Sequence, residues 1–274
     1  MSKWVAVAVA FLGFNIESRA SSDDMSYLQG LNQPHRLEVE SSSLGRSFQV
    51  FVRTPVTYEL GSKKRYPTVY LLDGGHTFPM LASFYQYLAF GAELPDLTIV
   101  GISYGTDDWK KGNMRSTDYT APAFDRDHYG GASAFLKFLS EELLPNIEGR
   151  YPIDSSKRII FGQSLGGQFV LYVAQHKPNL FHGYIASNPA LHRNLDLFLK
   201  PLAVDETIKP RLFVSSGSND DARFRDPTLA WMGHWGQLEK RPWDLKMITL
   251  PGQTHFSAAP EAFRLGLKWV LVGE

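Results

Sequence analysis

The chain has 274 residues, 43% of them hydrophobic and 20% charged, which suits one α/β domain with a large core and argues against disorder. Lys plus Arg and Asp plus Glu both number 28, so no net charge draws the protein to nucleic acid or to an anionic membrane. There is no cysteine, which excludes disulfides, cysteine-ligated zinc and a thiol nucleophile.

Residues 1–20 have the pattern of an export signal. Lys3 supplies the charge, Trp4 to Phe14 is an apolar run too short to cross a bilayer, and Ser18-Arg19-Ala20 puts small residues at the −3 and −1 positions of a cleavage site. Cleavage near Ala20 leaves a catalytic domain of residues 21–274 in the periplasm or outside the cell, with no stable membrane insertion; the alternative is an uncleaved anchor. Ser21 to Leu31 is polar and reads as a lead-in.

Arg36 to Glu40 and Ser47 to Val52 both alternate apolar and polar residues, and Ser41 to Gly45 separates them. They are expected to pair as an antiparallel hairpin. Residues 54–66 carry Pro, Gly and Lys63-Lys64-Arg65 and read as a solvated loop. Pro67 to Leu72 is a nearly continuous apolar strand, as in the middle of a parallel sheet; Asp73-Gly74-Gly75-His76 follows it. Met80 to Phe90 has helical spacing, and Leu97 to Ile102 is the next strand. Residues 103–130 form a long polar and aromatic loop with Arg115, Asp118 and Tyr119, and loops of that length in compact domains are usually functional or mobile. Ala132 to Ile147 is helical.

Ile159 to Phe161 reads as a short buried strand. Gly162-Gln163-Ser164-Leu165-Gly166 follows, and then the apolar stretch from Phe169 to Ala174. Strand, Gly-x-Ser-x-Gly and helix together make a nucleophile elbow. His182 to Ser187 is a strand ending at Asn188-Pro189, and Leu191 to Leu202 is helical or lid-like. Asp205-Glu206 reads as a solvated turn. Arg211 to Ser216 is a strand that runs into Gly217-Ser218-Asn219-Asp220-Asp221. Thr228 to Lys240 reads as a helix, Leu245 to Leu250 as the last strand before Pro251-Gly252-Gln253-Thr254-His255, and Pro260 to Val272 as the terminal amphipathic helix. Strands alternating with helices predict an α/β-hydrolase fold: a mostly parallel central sheet with helices on both faces and an N-terminal antiparallel hairpin.

In such a sheet the loops at the carboxyl ends of the strands converge on the site. Ser164 is the candidate nucleophile, inert unless a base takes its proton. His255 stands between the last strand and last helix and is the candidate base; His234 and His76 are the fallbacks. Asp220, at the end of the preceding strand, is the candidate orienting acid, with Asp221 beside it. The order Ser, Asp, His is the α/β-hydrolase order. The N–H of Leu165 is one oxyanion donor, and Gly75 or Gly74 the second. The sequence has no phosphate-binding loop, no zinc motif and no dinucleotide fingerprint, so neither cofactor nor metal is implied.

Tyr70-Leu71-Leu72-Asp73-Gly74, Arg115 with Asp118-Tyr119-Thr120, Gly162 to Gly167, Gly217-Ser218-Asn219-Asp220 and Gly252 to His255 resemble the esterase family of α/β-hydrolases that holds esterase D, feruloyl esterases, mycolyltransferases and siderophore esterases. The resemblance implies that Gly75 gives the second oxyanion N–H and Asp220 the acid. An exported chain without extra domains is most similar to the siderophore-esterase branch, some of whose members work with a Ser–His dyad or carry Glu near the acid position. The expected function is serine-dependent hydrolysis of a small-molecule carboxylic ester, a siderophore ester or an aryl or short acyl ester. Acyl transfer of the mycolyltransferase type and a non-catalytic binding role are the alternatives. Phe78, Phe84, Tyr85, Trp109, Tyr119, Trp231 and Trp235 are candidate pocket aromatics.

Overall fold

The computed structural model describes residues 34–202 and 209–273. The expected signal at 1–20, the lead-in and the turn at Asp205-Glu206 lie outside them. Strands β1 (His35–Ser41) and β2 (Arg46–Arg53) form the expected hairpin, turned at Gly45, where φ is 64°. Strands β3 (Tyr66–Leu71), β4 (Thr98–Ser103), β5 (Ile153–Gln163), β6 (Gly183–Ser187), β7 (Arg211–Gly217) and β8 (Asp244–Leu250) follow. The eight make one sheet of order β1-β2-β4-β3-β5-β6-β7-β8. β2 runs antiparallel to β4, and every pairing from β4 to β8 is parallel.

Two helical layers cover the sheet, which is why its central strands read as unbroken apolar runs. Side chains alternate along a strand, so Val69, Leu71, Ile159 and Phe161 pack on α1 (Gly74–Phe90) and α8 (Ala258–Leu271). Tyr70, Leu72, Ile160 and Tyr184 face the other way, toward α3 (Ala132–Phe138), α4 (Leu144–Glu148), α5 (Leu165–His176) and α7 (Ala222–Gln237). Phe161 is fully buried, and a side chain of that size contributes about 2–3 kcal/mol on burial. Two short helices, α2 (Arg115–Asp118) and α6 (Leu195–Phe198), lie in loops.

Three helices depart from the sequence-based expectation. α1 starts at Gly74, six residues earlier than its apolar spacing suggests, because Asp73 turns the chain with φ 53° and ψ 41° directly into it. α7 begins at Ala222 and ends at Gln237. Only Leu195–Phe198 is helical in the segment expected to be helical from Leu191; there Asn194 instead spends its side-chain amide on Ala121 O and Gln168 Oε1.

β3 lies between β4 and β5. The chain leaves β3 toward one edge and later returns on the other side, which opens a crevice at the carboxyl ends of β3 and β5. Asp73-Gly74-Gly75 stands at one lip and Ser164 at the other.

Candidate active site

Ser164 sits between β5 and α5 with φ 60° and ψ −116°, a conformation costly for any residue with a Cβ. Its surroundings hold it there. Ser164 N donates to Ser187 O at 3.0 Å, and its carbonyl accepts from Gln168 N and Ala190 N, both at 3.0 Å. Gly162 makes the turn possible: a Cβ there would stand 2.2 Å from Gly166 O.

The structure brings His255 and Asp220 to this serine. His255 Nε2 lies 2.9 Å from Ser164 Oγ, and His255 Nδ1 lies 2.9 Å from Asp220 Oδ2. With Asp220 as a carboxylate, Nδ1–H is the donor to it, which leaves Nε2 as the acceptor for the serine hydroxyl. His255 is only 8% exposed and Asp220 4%, so water competes weakly for these bonds. The fallback histidines are elsewhere: His76 is exposed and pairs with Asp107 at 2.8 Å, and His234 is exposed on α7 against Trp235.

Two positioning side chains carry no sequence signal of their own. Asn188, buried and with φ 43°, donates through Nδ2 to Asp220 Oδ2 at 2.6 Å. Gln163, the residue before the serine, donates through Nε2 to the carbonyl of His255. The strand that delivers the serine thus also holds the loop that delivers the histidine.

The adjacent Asp221 has a different task. It is the N-cap of α7, and its Oδ1 accepts from Arg223 N at 2.8 Å. Asparagine caps a helix about as well as aspartate, so Asp221→Asn is expected to keep wild-type stability and turnover. Asp220→Asn replaces the carboxylate with a neutral amide, which loses the charge that stabilises the imidazolium and adds an NH2 that favours the wrong imidazole tautomer; a fall in kcat of about 10²- to 10⁴-fold is expected. Steady-state kinetics of the two isosteric variants check the assignment.

At the other lip, the first helical bond of α1 is made by His76 N to Asp73 O at 2.9 Å, so the N–H groups of Gly74 and Gly75 precede it. The two glycines differ. Gly74 is buried against β4, where a Cβ would stand 2.5 Å from Ile102 N; Gly75 is exposed, and its Cβ would meet only Ser103 Oγ at 3.1 Å. Leu165 N opens α5 on the opposite side.

Asp73 is clamped from below. Arg115 Nε and Nη2 donate to Asp73 Oδ1 and Oδ2 at 2.8 and 2.9 Å, and Asp73 N donates to Tyr119 Oη at 3.3 Å. Burial opposes the charge on Arg115, but the Asp73 carboxylate outweighs it and holds the guanidinium pKa above its ordinary value. Arg46 Nη2 reaches both oxygens of buried Asp118 at 2.5 Å, and Tyr104 Oη donates to Asp118 at 2.8 Å. Burial pushes the Asp118 carboxyl up, against the pull of Arg46 and Tyr104. The sequence singled out Arg115, Asp118 and Tyr119; their pairing partners became visible only in the fold.

The expected pocket aromatics are mostly core. Phe78, Tyr85, Tyr119, Trp231 and Trp235 are all buried. Trp235 Nε1 donates to Phe198 O at 2.9 Å, and Trp231 and Trp235 pack with Trp243 between α7 and its neighbours. Their helix turns its bulkiest face inward, where burial stabilises it most. Phe84 packs at the edge of the α1 layer, and Trp109 is exposed in the loop after β4. A cavity of about 410 Å³ lined by Arg53, Pro55, Tyr85 and Phe90 lies at the far end of α1 from Gly75. Among the described residues no group of three or more His, Asp or Glu side chains is placed to hold a metal ion.

His192, half-buried beside the site, has its pKa pushed down to about 4, by burial first and then by Arg193 and Arg223. The sign follows. Below pH ~6.5 the unfolded chain protonates this histidine while the folded one does not, so stability is lost as pH falls from 6.5 toward 4. On the order of 1–2 kcal/mol is expected after discounting for solvent screening of a half-exposed ring. Urea unfolding of wild type and His192→Gln at pH 7 and pH 4.5 checks it; the variant should lose less stability on acidification.

An eight-stranded, mostly parallel sheet with a strained serine after β5, an acid after β7 and a histidine after β8 defines an α/β-hydrolase. The chain belongs to the esterase family described as "Putative esterase", whose model matches residues 41–248. It is 33% identical over 179 residues to the ferri-bacillibactin esterase BesA of Bacillus subtilis, covering 59% of this chain and 60% of that one. It is 28% identical over 174 residues to the apo-salmochelin esterase of Escherichia coli, covering 60% and 53%. The chain thus spans 60% or less of the length of these two curated relatives. Among solved structures, the IroE-like serine hydrolase from Shewanella oneidensis superposes with a TM-score of 0.75 at 25% identity, covering 86% of this chain and 79% of that one. Siderophore hydrolase EstB from Aspergillus nidulans shares the fold with a TM-score of 0.72 at 21% identity, covering 93% and 97%.

Proposed function

We propose that this protein hydrolyses carboxylic esters through an acyl-enzyme on Ser164. The observation that carries the reading is the continuous hydrogen-bonded row from Ser164 Oγ through His255 to Asp220, two links of 2.9 Å each. Ser164 Oγ attacks the ester carbonyl and its proton passes to His255 Nε2. Asp220 orients the imidazole and stabilises its cation. The carbonyl oxygen, now an oxyanion, is received by the N–H groups of Leu165 and Gly75. Gly75 is favoured over Gly74 because it is exposed while Gly74 is packed against β4. His255 then returns the proton to the leaving alkoxide, water attacks the acyl-enzyme by the same route, and acid and free Ser164 are released.

The names of the relatives support a siderophore ester as the substrate, with aryl and short acyl esters as further members of the class. Residues 1–20 support export, so that the working chain begins at Ser21 in the periplasm or outside the cell; N-terminal sequencing of the protein isolated from cells tests this. No helix among the described residues is long and apolar enough to cross a membrane.

The test is a hydrolysis panel on the chain from Ser21: p-nitrophenyl esters of increasing acyl length, methyl ferulate and a catecholate trilactone, each with Ser164→Ala beside it. Turnover that disappears in the variant supports the reading. Turnover that survives in it, or no turnover of any ester, counts against it.

A further inference from the structure

The Nε2 bond to Ser164 Oγ is lost once Oγ attacks, and the remaining hydrogen bond of His255 then leaves one motion of its ring unrestrained. The imidazole is tethered at Cβ and through Nδ1 to one oxygen of Asp220, Oδ2, which also accepts from Asn188. The other carboxylate oxygen, Oδ1, is buried and makes no hydrogen bond to the protein. Two tethers define an axis, and rocking about that axis swings Nε2 away from Ser164.

One ring face is covered. Phe224, in the first turn of α7, stacks on the imidazole with centroids 4.3 Å apart and planes at 27°. Phe224 is itself held in place. Its N–H donates to Asp221 O at 2.9 Å, and its carbonyl accepts from Thr228 Oγ1 at 2.9 Å. The Arg223 guanidinium lies 4.4 Å from its ring centroid, and His192 packs edge-on at 5.0 Å and 88°. The Asp221 cap fixes where α7 begins, and so which residue of the first turn meets the imidazole. Phe256 meets the same imidazole with centroids 5.4 Å apart and planes at 88°, but it is 85% exposed.

We propose that Phe224 is a positioning residue for His255: its ring blocks rocking of the imidazole toward α7 and keeps Nε2 in line with the Ser164 hydroxyl. It acts through the histidine. This rests on the reading of Ser164 and His255 as nucleophile and base.

The experiment compares wild type, Phe224→Leu and Phe224→Tyr, each as the chain from Ser21. Three quantities are measured: the rate at which a fluorophosphonate labels Ser164, kcat and KM on the best ester of the panel, and the proton shifts of the His255 ring by NMR. Misaligning a proton acceptor by a fraction of an ångström is expected to cost about tenfold. Labelling and kcat should therefore fall by that factor in Phe224→Leu, with KM little changed, and Phe224→Tyr, which keeps the flat ring, should restore both. The His255 ring protons should be shifted upfield by the stacked ring in wild type and Phe224→Tyr and not in Phe224→Leu. Labelling of Phe224→Leu at the wild-type rate, or a change confined to KM, overturns the proposal. Absence of the upfield shift in wild type overturns it as well, and needs neither a folded variant nor any activity. Failure of wild type itself to be labelled would instead sink the serine-esterase reading, and the ring shifts would still decide whether the stack exists.

Discussion

Ser164→Ala is expected to lower kcat/KM on every accepted ester by about 10⁴-fold or more, with the fold intact. The two halves of this expectation have separate causes. Without Oγ no acyl-enzyme forms, and the remaining oxyanion donors and binding contacts supply only the small residual rate seen when a nucleophile is removed. The stability change should be small. The variant loses one hydrogen bond, Ser164 Oγ to His255 Nε2 at 2.9 Å, worth ~1 kcal/mol, which for a chain of this size is a shift of roughly 3 °C in thermal midpoint. Alanine keeps the Cβ and so keeps the backbone strain at φ 60° and ψ −116°. Ser164→Gly removes it. Glycine visits positive φ freely, and relief of about 1–3 kcal/mol is expected, so the glycine variant should be inactive and melt above the alanine variant. Calorimetry of the two beside the kinetics checks both statements. Activity of Ser164→Ala within tenfold of wild type would remove Ser164 from the mechanism. A glycine variant melting below the alanine one would show that the elbow stores no strain.

That serine was legible in the sequence for a reason the structure makes explicit. Gly162 and Gly167 are demanded by backbone contacts, so their places in the chain record a geometry in space. His255 and Asp220 were legible by a coarser rule: in a parallel sheet the carboxyl ends of the strands share one edge, so residues just after β7 and β8 reach a serine after β5. The groups that hold these residues were not. Asn188 reads as the polar end of a strand, and only its position one strand away from β7 turns it into a donor to Asp220. Gln163 looks like a variable position of the motif until the last loop folds over it. Arg115 and Asp73 are 42 residues apart, and nothing local distinguishes their pairing from any other surface ion pair. The aromatics were not legible for a related reason. Composition places no aromatic inside or outside a pocket, and Trp231, Trp235 and Tyr119 went where most large rings go, into the core. The alternative left open at the motif level between Asp220 and Asp221 separates on which group each one touches: Asp220 meets His255 and Asp221 meets Arg223 N. Asp221 serves its own helix.

The glycines of the Gly-x-Ser-x-Gly-Gly stretch are not equivalent, and Gly162→Ala is the second large effect expected. A Cβ at Gly162 would stand 2.2 Å from Gly166 O and 2.3 Å from Gly166 C. Both are backbone atoms of the first turn of α5, which cannot rotate away as a side chain would. Relief requires moving β5 and α5 apart, and both are buried: Phe161 and Phe169 on either side of the turn have no exposed surface. Overpacking of this kind costs 1–3 kcal/mol where side chains can adjust and more where they cannot; about 3–5 kcal/mol is expected here, a fall in thermal midpoint of roughly 10 °C. Activity should fall in the molecules that still fold, because separating β5 from α5 moves Ser164 Oγ and the Leu165 N–H relative to one another, and an error of an ångström costs about 10²-fold. Gly166→Ala is the contrast. Its Cβ would meet only Asp73 Oδ2 and Leu72 side-chain atoms at 3.5–3.6 Å, ordinary contact distance, and alanine favours a helix by ~1 kcal/mol over glycine. That variant should fold with its stability unchanged or slightly raised. Gly167→Ala falls between them, at 2.9 Å from Ser187 O. Thermal melts of the three alanine variants, with fluorophosphonate labelling as the readout of the elbow, test the order Gly162, Gly167, Gly166 in severity. Equal losses at all three would mean that the elbow is a flexible loop, and the physical account of why this serine stands ready to react would fail with it.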